Sequence, residues 1–343
     1  MNHHSSLSPR PFPFLSPDLT HQERTMHAVI TGAAGFIGSH LAERLIADGW
    51  TVTGIDAFTD YYAREDKEAN LAGLLQEERF TLVEGDIAHI DLAPLFADRP
   101  VVFHLAAQAG VRGSFGESFD GYVHDNLIGT QRILEHALAA GCPRVAMASS
   151  SSVYGDAEAY PCLEGVTPTR PRSPYGATKR MCEDLADIYR GLGLSVTSLR
   201  YFTVYGPRQR PDMAMRRLCE AANGGARFTL NGDGLQSRDF TYVLDAVDAT
   251  VRAGTVANVP PILNVGGGEE ATMLEVIATI GELAGAPLDI DSAADGKGDV
   301  RRTAADTGLA RAALGWQPTM GLREGLSRQL EWVRARQLVL AVR

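Results

Sequence analysis

From Met26 onward the 343-residue sequence predicts an α/β protein built on a doubly wound parallel sheet, with a smaller α/β lobe towards the carboxy terminus. Three observations lead there. Short apolar runs rich in β-branched residues alternate with stretches of helical period, the pattern of strands buried on both faces by crossover helices. A glycine-rich string separates the first run from the first helical stretch, where such folds place a ligand-binding turn. After Tyr201 the alternation breaks, and Pro207, Pro211, Gly224, Gly225, Gly232 and Gly234 punctuate shorter segments.

Taken in order, His27–Thr31, Thr51–Asp56, Phe80–Glu84, 101–106, 144–149 and 195–201 read as strands. Between them 36–48, 64–78, 122–140 and 174–192 carry helical period. Further on, 240–248 and Ile262–Val265 read as sheet again, so the chain is expected to re-enter the first lobe before finishing in helices. The division that follows is an extension over 1–25, a cofactor lobe over 26–203 to which 236–265 returns, and a substrate lobe made of 204–235 and 266–343. The extension is rich in Pro, Ser and His, lacks the apolar centre of a signal peptide, and is expected to be flexible.

Composition narrows the function. With 45% hydrophobic and 22% charged residues the chain can bury a full core as a soluble globule. Its 32 Lys+Arg against 42 Asp+Glu give a net charge of −10, which argues against a general binder of nucleic acid or anionic membrane. No apolar run approaches the ~18 residues of a membrane span, and a cytoplasmic location is expected. Cys142, Cys162, Cys182 and Cys219 form no CxxC pair and no HExxH string occurs, so buried free thiols and no metal centre are expected.

The first strand runs into Gly32-Ala-Ala-Gly35-Phe-Ile-Gly38 and then a helix, whose N–H groups and dipole favour a pyrophosphate. Gly32 permits the tight turn, Gly35 the approach of phosphate, and Gly38 close packing of helix on strand. The second strand ends at Asp56, 18 residues beyond Gly38, where a carboxylate accepts from a ribose diol and repels a 2′-phosphate. NAD is therefore favoured over NADP. A merely tight βα turn is the plainer alternative, and strand, helix and Asp56 together weigh against it. Asp86 and Ile87 follow the third strand and are expected to flank adenine. Leu105, Ala106, Ala107 and Gln108 follow the fourth and are expected to line the middle of the cofactor, with His104 structural.

Of ten tyrosines only Tyr175 has a lysine four residues on, Lys179. One helical turn puts both on one face, and the ammonium lowers the phenol's pKa into the range of a usable base. An ordinary surface pair is the plainer reading of such a string. Here it opens a helix just beyond the serine-rich end of the fifth strand, Ser149-Ser-Ser-Ser152-Val-Tyr-Gly155, where the Ser150 hydroxyl can share a substrate proton.

Together these residues resemble the extended short-chain dehydrogenase/reductase family, over Met26 to about Trp332. Within it the chain is most similar to nucleotide-sugar 4-epimerases, above all UDP-glucuronate 4-epimerases. The likeness is carried by Asp60-Tyr-Tyr62, 104-HLAAQAGVR-112, 148-ASSSSVYG-155, 200-RYFTVYGPRQRPDM-213 and 232-GDGLQSRDFTY-242. The resemblance implies a Rossmann-type cofactor lobe in which Phe36, Ile37, Asn126, Ser149, Tyr201 and Phe202 also surround NAD. It implies that Tyr175, aided by Ser150 and Lys179, removes the sugar 4-hydroxyl proton while C4 gives its hydride to tightly held NAD. The 4-keto sugar then turns and recovers the hydride on its other face. A 4-keto uronate is a β-keto acid, so its carboxylate must be held where loss of CO2 is unfavourable.

By family position Ser151, Ser152, Thr203 and Arg210 surround the C6 substituent. Thr203 stands where neutral-sugar epimerases carry Asn, and Ser152 where dehydratases and decarboxylases carry an acid. Arg238 is the expected diphosphate ligand, with Arg112 and Arg301 as further candidates. Asn231 stands where many relatives have an aromatic. The implied partner is a UDP-sugar, UDP-glucuronate or UDP-galacturonate. The resemblance also implies a homodimer packed through 122–140 and 174–192. The alternatives are a UDP-glucose or UDP-N-acetylglucosamine 4-epimerase, then a UDP-glucuronate decarboxylase or a dehydratase, and from another class a non-catalytic NAD-binding module. Trp50, Trp316 and Trp332 are expected in the core.

Overall fold

The computed structural model describes residues 26–294 and 296–341, so the extension over 1–25 lies outside the described residues. The chain begins with β1 (His27–Thr31), α1 (Phe36–Ala47), β2 (Thr51–Asp56), α2 (Arg64–Leu71) and β3 (Phe80–Glu84). It crosses to β4 (Val101–His104), passes through the short α3 (Phe119–Tyr122), and continues with α4 (Gly129–Ala140), β5 (Arg144–Ser150), α5 (Pro174–Gly191) and β6 (Val196–Tyr201). The second half holds β7 (Thr203–Tyr205), α6 (Ala214–Ala222), β8 (Phe228–Asn231), β9 (Ser237–Tyr242), α7 (Val243–Thr255) and β10 (Ile262–Val265). It ends with β11 (Glu270–Thr272), α8 (Met273–Ala284), β12 (Ile290–Ala293), α9 (Gly308–Leu314) and α10 (Leu322–Ala341).

Seven parallel strands form the main sheet in the order β10-β6-β5-β4-β1-β2-β3. The fold is Rossmann-type. Its strand order reverses between β1 and β4, and such a switch opens a crevice at the carboxyl ends of the strands. Side chains alternate across the pleat, so Val29 and Val102 face α4 and α5 with Ile133 and Ala186, while Ile30 and Phe103 face α1 and α7 with Leu41 and Val247. β8 pairs with β12 against α6 and α8 in the smaller lobe, and β11-β9-β7 form a three-stranded sheet beside it.

Several boundaries differ from the sequence reading. The run 240–248 is strand only to Tyr242. Val243, Ala246, Val247 and Thr250 recur at helical spacing on the buried face of α7, and no breaking residue separates helix from strand. Helix α2 stops at Leu71, just before Gly73, and a 3₁₀ turn covers Leu74–Gln76. β4 ends at His104, because residues 105–107 leave the sheet for the crevice wall. The stretch 122–140 is helical from Phe119 and includes a π-helical turn over Val123–Ile128. All four cysteines are free and buried, and Trp50 and Trp316 are in the core, while Trp332 is only partly buried.

β10 locks the two halves of the chain together through Asn264. Its Nδ2 donates to the carbonyls of Cys162 (2.9 Å) and Asp306 (3.2 Å), and its Oδ1 accepts from the Tyr154 hydroxyl (2.8 Å). Removing a buried partner leaves the opposing groups unsatisfied at about 1–3 kcal/mol each. Asn264→Ala is therefore expected to lower unfolding stability by about 2 kcal/mol or more, read as a fall in the urea midpoint at unchanged m-value.

Candidate active site

A cleft of about 730 Å³ opens at the carboxyl ends of the sheet and runs into the smaller lobe. Gly32 sits at φ +72°, and a Cβ there would lie 2.9 Å from the Ala106 nitrogen. A Cβ on Gly38 would stand 2.1 Å from the Gly32 carbonyl oxygen. The turn is therefore pressed against both its helix and the segment that leaves β4, closer than any larger residue allows. Helix α1 begins at Phe36 without a side-chain cap, so its first N–H groups are left for an anion. Gly32, Gly35, Phe36, Ile37 and Gly38 all line the cleft. The Asp56 carboxylate accepts from the Ala34 amide (3.0 Å) and the Phe58 amide (2.9 Å), which aims it across the turn. The glycine cradle, the uncapped helix and this carboxylate fit a dinucleotide.

Further along, Asp86, Ile87, Leu105, Ala106, Ala107, Gln108, Ser149, Tyr201 and Phe202 line the same cleft. His104 lies beneath it, paired with Thr31 Oγ1 (2.7 Å) and Thr130 Oγ1 (2.9 Å), and burial pushes its pKa down to about 3. It is a neutral structural residue. Asn126, placed beside the cofactor by the sequence reading, does not line the cleft. It is buried, and its amide is spent on the Gln108 N–H (2.8 Å), the Gln108 carbonyl (3.1 Å) and Thr178 Oγ1 (2.9 Å). Asn126 braces the wall from behind.

Helix α5 starts where the sequence supplies a cap. Ser173 Oγ accepts from the Gly176 N–H (3.1 Å), and Pro174 follows with its φ already helical. Tyr175 and Lys179 then face the cleft one turn apart, and Lys179 Nζ donates to the Ala148 carbonyl (2.9 Å) at the end of β5. Ser150 is adjacent, its Oγ accepting from the Ser152 N–H (3.1 Å). One turn below Lys179 is Glu183, fully buried, which accepts from Ser149 Oγ (2.6 Å) and from Arg200 Nε (2.8 Å) and Nη2 (2.7 Å). Arg200 Nη1 donates to Tyr154 (2.8 Å). Sequence reasoning missed this pair. Its signal was a carboxylate on the face of Tyr175 and Lys179 together with an arginine inside an apolar strand.

In the other half of the cleft, Arg112, Ser151, Ser152, Thr203, Arg210 and Arg238 all contribute to the walls. Arg210 makes a bidentate pair with Asp212 (both 3.0 Å) and lies 5.6 Å over the Tyr61 ring. Arg112 pairs with Asp299 (2.6 Å), and with the Asn231 amide turned over it donates to that amide's oxygen (2.6 and 3.1 Å). Arg238 differs: it donates to the Ser237 carbonyl (2.7 Å), burial pushes its pKa below the ordinary value, and no carboxylate among the described residues is in ion-pair contact with it. Arg301 does not line the cleft. Its guanidinium forms a bidentate pair with Asp233 (both 2.8 Å) in the turn after β8, outside the walls. Lining residues not singled out from sequence include Lys67, Met213 and Gln236. Tyr61 and Tyr62, quoted only within a longer string, also line it.

With the geometry in hand, the comparisons are clear. Residues 28–266 match the NAD dependent epimerase/dehydratase family, and the chain belongs to it. It is accordingly an NAD-dependent enzyme. It is 37% identical to a probable UDP-glucuronate 4-epimerase of Rhizobium meliloti, over 90% of this chain and 96% of that protein. It is 40% identical to a UDP-glucose 4-epimerase of Mycolicibacterium smegmatis, over 90% of this chain and 99% of that protein. Among solved structures it is similar to the UDP-glucuronic acid 4-epimerase of Bacillus cereus in complex with UDP-glucuronic acid and NAD, with a TM-score of 0.87 and 37% identity, covering 91% of this chain and 100% of that one. Among the described residues no helix is long and apolar enough to cross a membrane.

Breaking one side of a buried ion pair strands the other charge, at about 3–5 kcal/mol. Glu183→Ala is expected to destabilise the protein by that amount in chemical denaturation, and an effect below 1 kcal/mol would mean that water relieves Arg200.

Proposed function

We propose that the protein is an NAD-dependent UDP-glucuronate 4-epimerase that interconverts UDP-glucuronate and UDP-galacturonate through a 4-keto sugar. One observation carries the choice of sugar: beside Tyr175 and Ser150 the wall offers Ser151, Ser152, Thr203 and the Arg210 guanidinium, with no carboxylate in the serine run. Hydroxyls and a cation suit a C6 carboxylate. In this reading residues 26–203 with 236–265 hold NAD, and 204–235 with 266–343 hold the nucleotide sugar.

NAD, when bound, supplies reversible hydride acceptance at C4. Tyr175 takes the 4-hydroxyl proton as general base and later returns it. Lys179, held at the Ala148 carbonyl, presents its amine on the same helix face one turn on. Ser150 passes the proton between sugar and phenol. Loss of CO2 from the keto acid requires the carboxylate bond to align with the carbonyl π system, and contacts from Ser151, Ser152, Thr203 and Arg210 hold it out of that alignment. Arg238, half-buried and in ion-pair contact with no carboxylate among the described residues, pairs with the diphosphate.

Incubation with UDP-glucuronate is expected to yield UDP-galacturonate and no UDP-pentose by chromatography. Faster conversion of UDP-glucose or UDP-N-acetylglucosamine would move the assignment to a neutral-sugar epimerase, and pentose to a decarboxylase. Tyr175→Phe is expected to lose at least about 10²-fold in turnover while NAD, measured after denaturing the purified protein, stays at the wild-type ratio.

The reading includes a homodimer. Helix α5 and its neighbourhood leave Met181, Ile188, Leu192 and Ile128 exposed on the side away from the sheet, a patch that a second copy would cover. Sedimentation is expected to give a dimer for the wild type and a monomer for Ile188→Asp; a wild-type monomer removes the dimer from the proposal.

A further inference from the structure

At the rim of the cleft, beside Ile87, three ligand-type side chains meet that the reaction above does not require to meet. Asp86, His89 and His124 each offer one atom within 4.8 Å of the others. The turn after β3 brings the first two together, because the amides of His89 and Ile90 both donate to the Asp86 carbonyl (2.9 Å each). Asp86 Oδ1 accepts from the Ala88 N–H (2.8 Å), while Oδ2 lies 2.9 Å from His89 Nδ1. His124 arrives from the π-helical turn, its Nε2 3.5 Å from the same Oδ2 and its ring stacked on His89 with centroids 5.2 Å apart.

The orientation of His124 is the informative part. Its Nδ1 lies 2.9 Å from Asp125 Oδ1, which turns Nε2 towards Asp86 Oδ2. A carboxylate that orients a histidine by its far nitrogen is the usual outer shell of a metal ligand. Ligands about 2.0–2.2 Å from a tetrahedral ion stand roughly 3.3–3.5 Å apart, and the two distances to Asp86 Oδ2 bracket that spacing.

We propose that Asp86, His89 and His124 bind a divalent transition-metal ion of the zinc class, with Asp125 orienting His124 and the remaining position open to water. Two imidazoles and one carboxylate select zinc, cobalt, nickel or copper over magnesium or calcium, which prefer oxygen. The ion engages Asp86 Oδ2, and Asp86 also lines the cleft, so metal and cofactor compete for one carboxylate. That consequence rests on the NAD reading; the metal site does not.

The test is a Co2+ titration of the full-length protein as purified, followed by its visible d–d absorption and reversed by Zn2+. His3 and His4 in the extension are metal-binding residue types, so the readout is the difference between variants. Wild type is expected to bind one equivalent more than His89→Ala/His124→Ala, and His89→Ala or Asp125→Asn alone to weaken that equivalent by at least about 10-fold. Excess Mg2+ is expected not to displace it. Equal stoichiometry and affinity in wild type and double variant, with both showing the same thermal midpoint, would overturn the site, as would displacement by Mg2+. The cofactor link is read separately: the ratio of bound NAD falls on adding Zn2+ to wild type and not to the double variant, whereas an unchanged ratio removes the competition.

Discussion

The site is built on a charge pair that water never reaches. Glu183 and Arg200 are both buried beneath Tyr175 and Lys179, where isolated charges would be prohibitively costly. They persist because nearly every lone pair and proton is used. Two parallel N–H···O bonds join them, Ser149 takes up the carboxylate, and Tyr154, itself donating to Asn264, receives the guanidinium. Those residues come from α5, β5, β6, β10 and the segment after β5. A shift of α5 by one residue would strand both charges, so the pair specifies where Tyr175 and Lys179 stand relative to Ser150. Its contribution is to uniqueness of register more than to net stability.

Legibility from sequence followed how local each physical cause was. The glycine turn, Asp56 and the first six strands were readable because period, turn chemistry and position agreed within a few residues. The helix α7 was not, because its β-branched start continues β9 without a break and only packing against the sheet shows the period. Asn126, expected beside the cofactor, is buried behind the cleft wall. A buried amide serving the chain behind a cleft and an amide serving a ligand look the same in one dimension. Arg301, expected as a further phosphate candidate, does not line the cleft: its partner, Asp233, is 68 positions away, and nothing local in the sequence shows that pairing. The Glu183–Arg200 pair fell between these cases, with helical spacing visible and the partner strand not.

An acidic chain with a net charge of −10 that binds NAD, whose pyrophosphate is anionic, needs its cations placed rather than numerous. The structure shows two ways of placing them. Arg112 and Arg210 are held rigid by Asp299 and Asp212, at the cost of much of their field. Arg238 is held by a backbone carbonyl instead, half-buried in the wall and in ion-pair contact with no carboxylate among the described residues. In the proposed function it is this guanidinium that is offered to phosphate, while the carboxylate-paired arginines shape the wall.

The position of β10 has a consequence for how the protein is made. It is the outer strand of the main sheet, yet it lies 61 residues after β6, with the start of the other lobe between them. During synthesis the edge of β6 emerges long before its neighbour, leaving N–H and C=O groups open to pairing with another chain. Asn264 travels with that late strand, so Tyr154 and the Cys162 carbonyl also wait for it. The ribosome must deliver most of the polypeptide before the floor of the cleft can close. Until then the nascent cofactor lobe has an unfinished edge, and that interval is when the protein is most exposed to aggregation.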